Sequence, residues 1–435
     1  MKVTKIKEKA TELIHRNDFK QYFANTVWLF LEHSVQLIAG FFVGIWVMRY
    51  LGPEDYGTLS FAISFIAIFS AIGSLGIDSI LIKELVRNKE RHNTLLGTSF
   101  FICTVGSILL IFLIFISLIF YKLSSSTITI VIIVALGNIS NGIKVFDLYF
   151  QSQVLSKYTF YAKTISLLIL SSLKIYFILT EMPLPYFAVL FAVDTFLMAP
   201  SLIFFYSKIK GSIFKWNFSR HLFFRMLSES WPLILSGLSI SLALRIDQVM
   251  INNYLNLESV GIYAAGVKLA EIFLFLPVLI GKSFYPKIIE LDLIKEQHKI
   301  IYLIGGGFFM LLLISILVGF FAPFAVKILY GAAYFESDIV TSILIFTVPL
   351  TYLGIITSNL LLKQGDTKFI FIRQLCLAFL NVFFNLSLIP SFGFIGAAWA
   401  TLIADFLVNF FFELFIPNRR WLFYLKLKAL TFNLF

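Results

Sequence analysis

Charge is scarce in this chain. Only 14% of its 435 residues are charged and 59% are hydrophobic, whereas a soluble domain usually carries nearer a quarter charged residues. That shortage excludes a water-soluble globule, because apolar runs of 18 or more residues recur along nearly the whole length. Cysteine is scarcer still. Cys103 and Cys376 each stand alone inside an apolar run, which excludes a disulfide framework or zinc spacing and reads as small core residues. A nucleotide-binding loop is also missing. Gly281-Lys282-Ser283 matches only its end, Leu276 replaces the required earlier glycine, and the stretch closes an apolar run. With no metal-ligand cluster, serine-nucleophile elbow or loop acid pair of a membrane glycosyltransferase, the chain is expected to be no enzyme and to use no cofactor or metal.

What is present is a series of runs each long enough to cross a hydrocarbon core of ~30 Å at ~1.5 Å per residue. The spans fall at about 23–48, 58–82, 96–120, 127–149, 158–180, 185–207, 229–250, 260–282, 299–321, 337–362, 371–389 and 394–416. The first begins after Lys20, too far in and too long for a cleavable signal. The net charge of +11 invites a nucleic-acid reading, yet the bases sit in short loops between spans. Even-numbered loops and both ends are basic, through groups such as Lys83, Arg87, Lys208, Lys210, Lys215, Arg225, Lys287, Lys295, Lys363, Arg373, Arg419 and Lys426. Odd-numbered loops offer only Arg49, Lys122 and Lys327. By the positive-inside rule both termini are expected in the cytoplasm, and no nucleic-acid partner is expected. The outward loops are short, such as 180–184 and 390–393, which leaves no room for an outer catalytic domain.

A repeat runs at a shift of about 204 to 211. Tyr50, Leu51, Glu54 and Gly57 match Tyr254, Leu255, Glu258 and Gly261; Gln153 and Lys157 match Gln364 and Lys368; Asp194 matches Asp405. This divides the chain into an amino-terminal six-span bundle at 1–207, a linker at 208–226 and a second bundle at 227–435. Parallel repeats of this kind place a substrate site between halves, near the midplane.

Ionisable groups inside spans carry the chemistry: Glu32, Asp78, Lys144, Asp147, Lys174, Asp194, Arg245, Asp247, Lys268, Glu271, Asp405 and Glu413. Each costs ~2.5–3.5 kcal/mol at a helix centre, so they must mostly face one another or water. Lys144 with Asp147, and Lys268 with Glu271, are close enough along the chain to pair internally. Lys174 has no acid within four residues. A basic interior of Lys144, Lys174, Arg245 and Lys268 suits an anionic ligand such as a phosphate-bearing lipid head group. Glu32, Asp78, Asp194, Asp247 and Asp405 then either bind a coupling ion, H+ or Na+, or pair structurally; the residues leave both readings open. His33, beside Glu32, reads as a buried, hydrogen-bonded histidine.

The stretch 49–61, RYLGPEDYGTLSF, resembles the segment after the first span of bacterial polysaccharide-unit (O-antigen) flippases. Arg245-Ile246-Asp247-Gln248 with Glu258, Gly261 and Tyr263, then Pro286, then 389–401, IPSFGFIGAAWAT, are similar to that family in order and spacing. The resemblance covers essentially residues 20–416. It implies an all-α polytopic membrane protein of about twelve helices in two six-helix bundles around a central cationic cavity. It also implies an undecaprenyl-diphosphate-linked oligosaccharide moved from the cytoplasmic to the outer leaflet of a bacterial cytoplasmic membrane by alternating access. Lys144, Lys174, Arg245 and Lys268 fall on the family's type of basic lumen position. Membrane lipids, and a polysaccharide polymerase with its chain-length machinery, are the implied partners. Drug exporters coupled to cations share the architecture and are the main alternative. A membrane polymerase is the other, and it would need the large outer loop this sequence lacks.

Overall fold

The computed structural model describes residues 2–209, 211–290 and 296–431. Lys210 and Lys295, counted above among the loop bases, and residues 432–435 lie outside them. The described chain is helical almost throughout, as an apolar solvent demands: backbone groups in lipid find no water and must bond within their own segment. Among the described residues, ten helices are long and apolar enough to cross a membrane. Two of these, Val27–Ile68 and Thr367–Phe415, contain 42 and 49 residues, roughly twice the length that a ~30 Å core requires. Each turns at a glycine in the left-handed region, Gly52 (φ 73°) and Gly393 (φ 62°), where a Cβ would be strained. Pro53 follows Gly52 and starts the next arm, a position that needs no backbone donor. Two doubled helices among ten give the twelve crossings of a multi-pass membrane protein.

Packing divides the residues into two compact units. The first comprises Met1–Val47 and Phe69–Leu235; the second comprises Met48–Ile68 and Ser236–Phe435. The first arm of α1 (Lys2–Ile68) therefore packs with the first unit, and its arm after the kink packs with the second.

In the first unit, α2 (Ser70–Gly73), α3 (Asp78–Arg87), α4 (His92–Phe120), α5 (Ser125–Gly137), α6 (Lys144–Ser152), α7 (Ser156–Leu179) and α8 (Leu184–Ile209) enclose a core that includes Leu81, Ile102, Cys103, Phe146, Phe150 and Tyr206. The segment after α8 is docked on this core. Trp216 donates its indole N–H to the Tyr206 hydroxyl at 2.9 Å, and its ring lies 5.0 Å from that of Phe146.

Two crossings of this unit are broken. Between α2 and α3 the chain passes through Leu75 (φ 46°) and Gly76 (φ 65°); between α5 and α6 it tightens into a 3-10 turn, Asn138–Ile143. On α4, a Cβ at Gly106 would come within 2.6 Å of the Ile72 carbonyl and 2.7 Å of the Gly73 carbonyl. Glycine there lets the neighbouring helix approach the break.

The second unit repeats this plan with α9 (Arg220–Tyr254, from Ser236 onward), α10 (Leu257–Glu271), α11 (Phe275–Glu290), α12 (Gln297–Leu329), α13 (Ser337–Leu344), α14 (Thr347–Lys363) and α15 (Thr367–Phe406). Its breaks fall in the corresponding crossings, the second and the fourth: Ile272–Leu274 between α10 and α11 and Ile345–Phe346 between α13 and α14. After α15 come a π turn, Leu407–Phe411, and a last helix, α16 (Arg420–Thr431). Repeat-related Gly57 and Gly261 meet here. A Cβ on Gly57 would stand 1.8 Å from the Leu257 carbonyl oxygen, and one on Gly261 would stand 1.9 Å from that of Pro53.

Candidate functional site

The in-span charges gather into separate clusters within each unit. In the first, Lys144 occupies the first position after the 3-10 turn and forms an ion pair with Asp78, which opens α3 after the other break. Both side chains keep about two-fifths of their surface accessible (42% and 38%). The expected Lys144–Asp147 pairing gives way to this one, because the break re-aims Lys144 across to a neighbouring crossing. Asp147 is taken instead by Lys163 of α7 at 3.0 Å, and the same ammonium holds Glu32 at 2.7 Å. One base thus faces two acids, and Glu32 Oε2 is buried without a hydrogen-bond partner. Lys174 lies over the Phe191 ring at 5.1 Å, and Asp194 accepts from Ser166 at 3.3 Å. His33 is exposed rather than buried, since it follows Glu32 by one residue and so points to another helix face.

In the second unit Arg245 approaches Glu271 at 3.4 Å, each about a third accessible (31% and 36%). Glu271 is the last residue of α10 before its break, so it turns toward Arg245 rather than toward Lys268. Lys268 is half-buried and forms no ion pair among the described residues. Asp247 is buried, at 5% exposure. Tyr263 donates to its Oδ2 at 2.5 Å and Thr401 at 3.1 Å, while its Oδ1 is buried without a partner. The amides of Asn381 and Asn385 extend this set, donating to Thr401 (3.0 Å) and to Asn381 (2.9 Å). Asp405, one helical turn beyond Thr401, accepts from Asn409 at 3.0 Å. A cavity of about 250 Å³ within this unit is lined by Asp247, Tyr263, Glu271, Arg373, Thr401 and Asp405 among others.

Several of these residues escape a reading of the sequence. Lys163 lies inside an apolar run, the same criterion that singles out Lys174. Arg373 and Lys426, counted above as loop bases, are each 1% exposed. They sit on opposite sides of Glu413, which is fully buried. Their sequence signal is weak, because a base near a span end usually marks the cytoplasmic face and nothing more.

Such an arrangement can hold and exchange small ions and anions. Residues 22–292 match the family model described as "Polysaccharide biosynthesis protein". The capsular polysaccharide biosynthesis protein CapF of Staphylococcus aureus is 24% identical over 400 residues, covering 89% of this chain and 98% of that one. Among solved structures, the lipid II flippase MurJ in an inward closed conformation superposes with a TM-score of 0.71 at 15% identity, covering 94% of this chain and 91% of that one. An inward-facing multidrug resistance transporter of the MATE family, in the MOP superfamily, gives 0.69 at 16% identity, covering 94% and 100%. These likenesses establish a shared fold of two six-helix bundles, and the family match goes further: the chain belongs to the polysaccharide biosynthesis protein family.

Proposed function

We propose that this protein is a flippase that carries an undecaprenyl-diphosphate-linked oligosaccharide across a bacterial cytoplasmic membrane, from the cytoplasmic to the outer leaflet. The observation that carries the reading is the membership of a polysaccharide biosynthesis family in a chain whose in-span bases Lys144 and Arg245 are held by accessible acids. Lys144 and Arg245 keep 42% and 31% of their side-chain surfaces accessible although both lie in crossings. Charge at that depth does not face acyl chains, so these pairs meet water. An ion pair so exposed is held by ~0–1 kcal/mol. A diphosphate, with more charge and more acceptor oxygens than one carboxylate, competes for both bases as it passes. Lys174 and Lys268 add positive charge. The polyprenyl tail stays in lipid throughout.

Coupling falls to the acids. Asp247 and Asp405 of the cavity, with Glu32, Asp78 and Asp194 of the first unit, are the groups on which H+ or Na+ would be exchanged during alternating access. The basic even-numbered loops support cytoplasmic termini, and a polymerase with its chain-length machinery would receive the product at the outer leaflet. The three acids of the cavity against one arginine also favour a second reading, a cation-coupled drug exporter. Deletion and overexpression strains separate the two: altered drug resistance with intact surface polysaccharide supports the exporter. For the flippase, the double variant Lys174→Ala/Arg245→Ala should lose surface polysaccharide while the protein remains in the membrane. Normal polysaccharide in that strain removes the site assignment.

A further inference from the structure

The last helix of the chain is built into the interior of the second unit. Leu422, Phe423, Leu425 and Ala429 of α16 are buried. On α12, a Cβ at Gly305 would press to 2.6 Å from the Ala429 carbonyl oxygen, so glycine is what lets the two helices touch. Lys426 points inward from this helix. Its ammonium donates to Glu413 Oε2 at 2.6 Å and to the Asn409 carbonyl at 2.8 Å. Asn409 belongs to the π turn, an irregularity that is frequent at functional sites. Its side-chain amide is the donor to Asp405 Oδ1. The amide fits only because Gly354 has no side chain: a Cβ there would stand 2.4 Å from Asn409 Oδ1. Arg373 closes the other side, donating to the Gly354 carbonyl at 2.9 Å and to the Ser358 hydroxyl, with Glu413 at 3.5 Å.

Two buried cations against one buried acid make a poor device for stability alone. Well-packed apolar residues of the same volume usually do as well or better. The cluster does fix one thing tightly, which is the backbone turn that aims Asn409. Asp405, Asn409, Ser358 and Arg373 all line the same cavity, so the ammonium lies one residue behind its wall.

We propose that Lys426 is a positioning residue for Asp405: by holding the Asn409 carbonyl and Glu413 it sets the turn that presents the Asn409 amide to that carboxylate. The carboxyl-terminal helix then belongs to the ion-handling apparatus rather than to a passive tail. This rests on the reading of Asp405 as a coupling group.

Glu413 stays paired with Arg373 when Lys426 is removed, so the test uses Lys426→Met, which deletes one of the two cations and keeps the shape. Surface polysaccharide is measured against external pH in a deletion strain carrying wild type, this variant, Asn409→Ala, or their combination, each normalised to protein in the membrane. The expected result is that the charge-deleted variant and Asn409→Ala reshape the pH profile in the same way, with no further change when combined. A helix that only stabilises the fold lowers output in proportion to protein at every pH, and that result overturns the proposal. Asp405→Asn is run alongside. If it leaves export unchanged, the coupling reading falls, and positioning is then decided by thiol labelling of Gln374→Cys, a cavity-lining reporter, in a chain with Cys103 and Cys376 replaced by alanine. At least a tenfold change in labelling rate on Lys426→Met upholds the positioning role; an unchanged rate defeats it.

Discussion

At Lys163, one ammonium serves two carboxylates, Glu32 at 2.7 Å and Asp147 at 3.0 Å, with only 21% of the lysine side chain accessible. Breaking a buried pair by removing one partner costs ~3–5 kcal/mol, because the other charge is left uncompensated. Lys163→Met is therefore expected to lower the thermal stability of the solubilised protein by that order, and Lys163→Met/Glu32→Gln to recover part of it. Lys144 is the contrast. Its pair with Asp78 is about two-fifths accessible, so Lys144→Ala should cost no more than ~1 kcal/mol in the same melting experiment while reducing export. A large loss of stability on Lys144→Ala would mean that the base serves packing. The sequence makes these charges visible as a set, because each is expensive in lipid. It does not reveal the pairing. Lys144 and Asp78 are 66 residues apart, and the 3-10 turn that brings them together has no strong residue signature in Asn138–Ile143. Spacing along a single helix pointed to Asp147 instead, and it assumed a regular helix through that turn.

Among the elements, the paired breaks are what turn a set of spans into a site. Each unit interrupts two of its crossings, its second and its fourth, and accessible ion-paired residues stand at those interruptions: Asp78 and Lys144 in one unit, Glu271 in the other. Non-helical backbone at membrane depth persists only where protein or water covers it. The repeat itself was legible in Tyr50, Leu51, Glu54 and Gly57 against Tyr254, Leu255, Glu258 and Gly261. The reason for two of those matches lies in the fold, since Gly57 and Gly261 are opposite sides of one helix crossing with no room for a Cβ on either. Gly57→Leu or Gly261→Leu is expected to cost at least ~3 kcal/mol through overpacking against backbone, read as loss of monodisperse protein after extraction. Tolerance of leucine at either position would refute the close crossing. The docking of α16 carries a pH signature as well. Burial lowers the Lys426 ammonium to about 8 from its ordinary 10.5, against the opposing pull of Glu413 and with Arg373 adding to the fall; the Phe410 ring lies 5.9 Å away. Between those two values the docked helix has shed a proton that the undocked chain keeps. Docking therefore strengthens as pH rises through that window, and the gain is lost as pH falls to about 8. Amide exchange of residues 420–431, corrected for its intrinsic rate, should show protection growing from pH 8 to pH 10. Flat or falling protection over that range would contradict a buried, depressed lysine.

For the whole molecule, the distribution of bases bears on what a crossing count alone leaves open. The even loops, rich in lysine and arginine, are expected on the cytoplasmic side by the positive-inside rule. A reporter active only outside should therefore work when fused within 180–184 and fail when fused within 211–219. The opposite pattern would invert every directional statement about transport. Direction then decides between a flippase and an enzyme acting on the same intermediate. A protein that moves a lipid-linked saccharide changes no covalent bond, so its loss leaves the intermediate chemically complete and traps it where it was made. A polymerase acts after that step, and its loss leaves single units already delivered to the outer leaflet. Spheroplasts of a deletion strain, probed with a sugar-oxidising or lectin reagent that does not cross the membrane, distinguish the two. Full-length lipid-linked units that become reactive only after the membrane is opened are the expected result. Units reactive in the intact spheroplast would place this chain after translocation, and its basic pairs would then need another role.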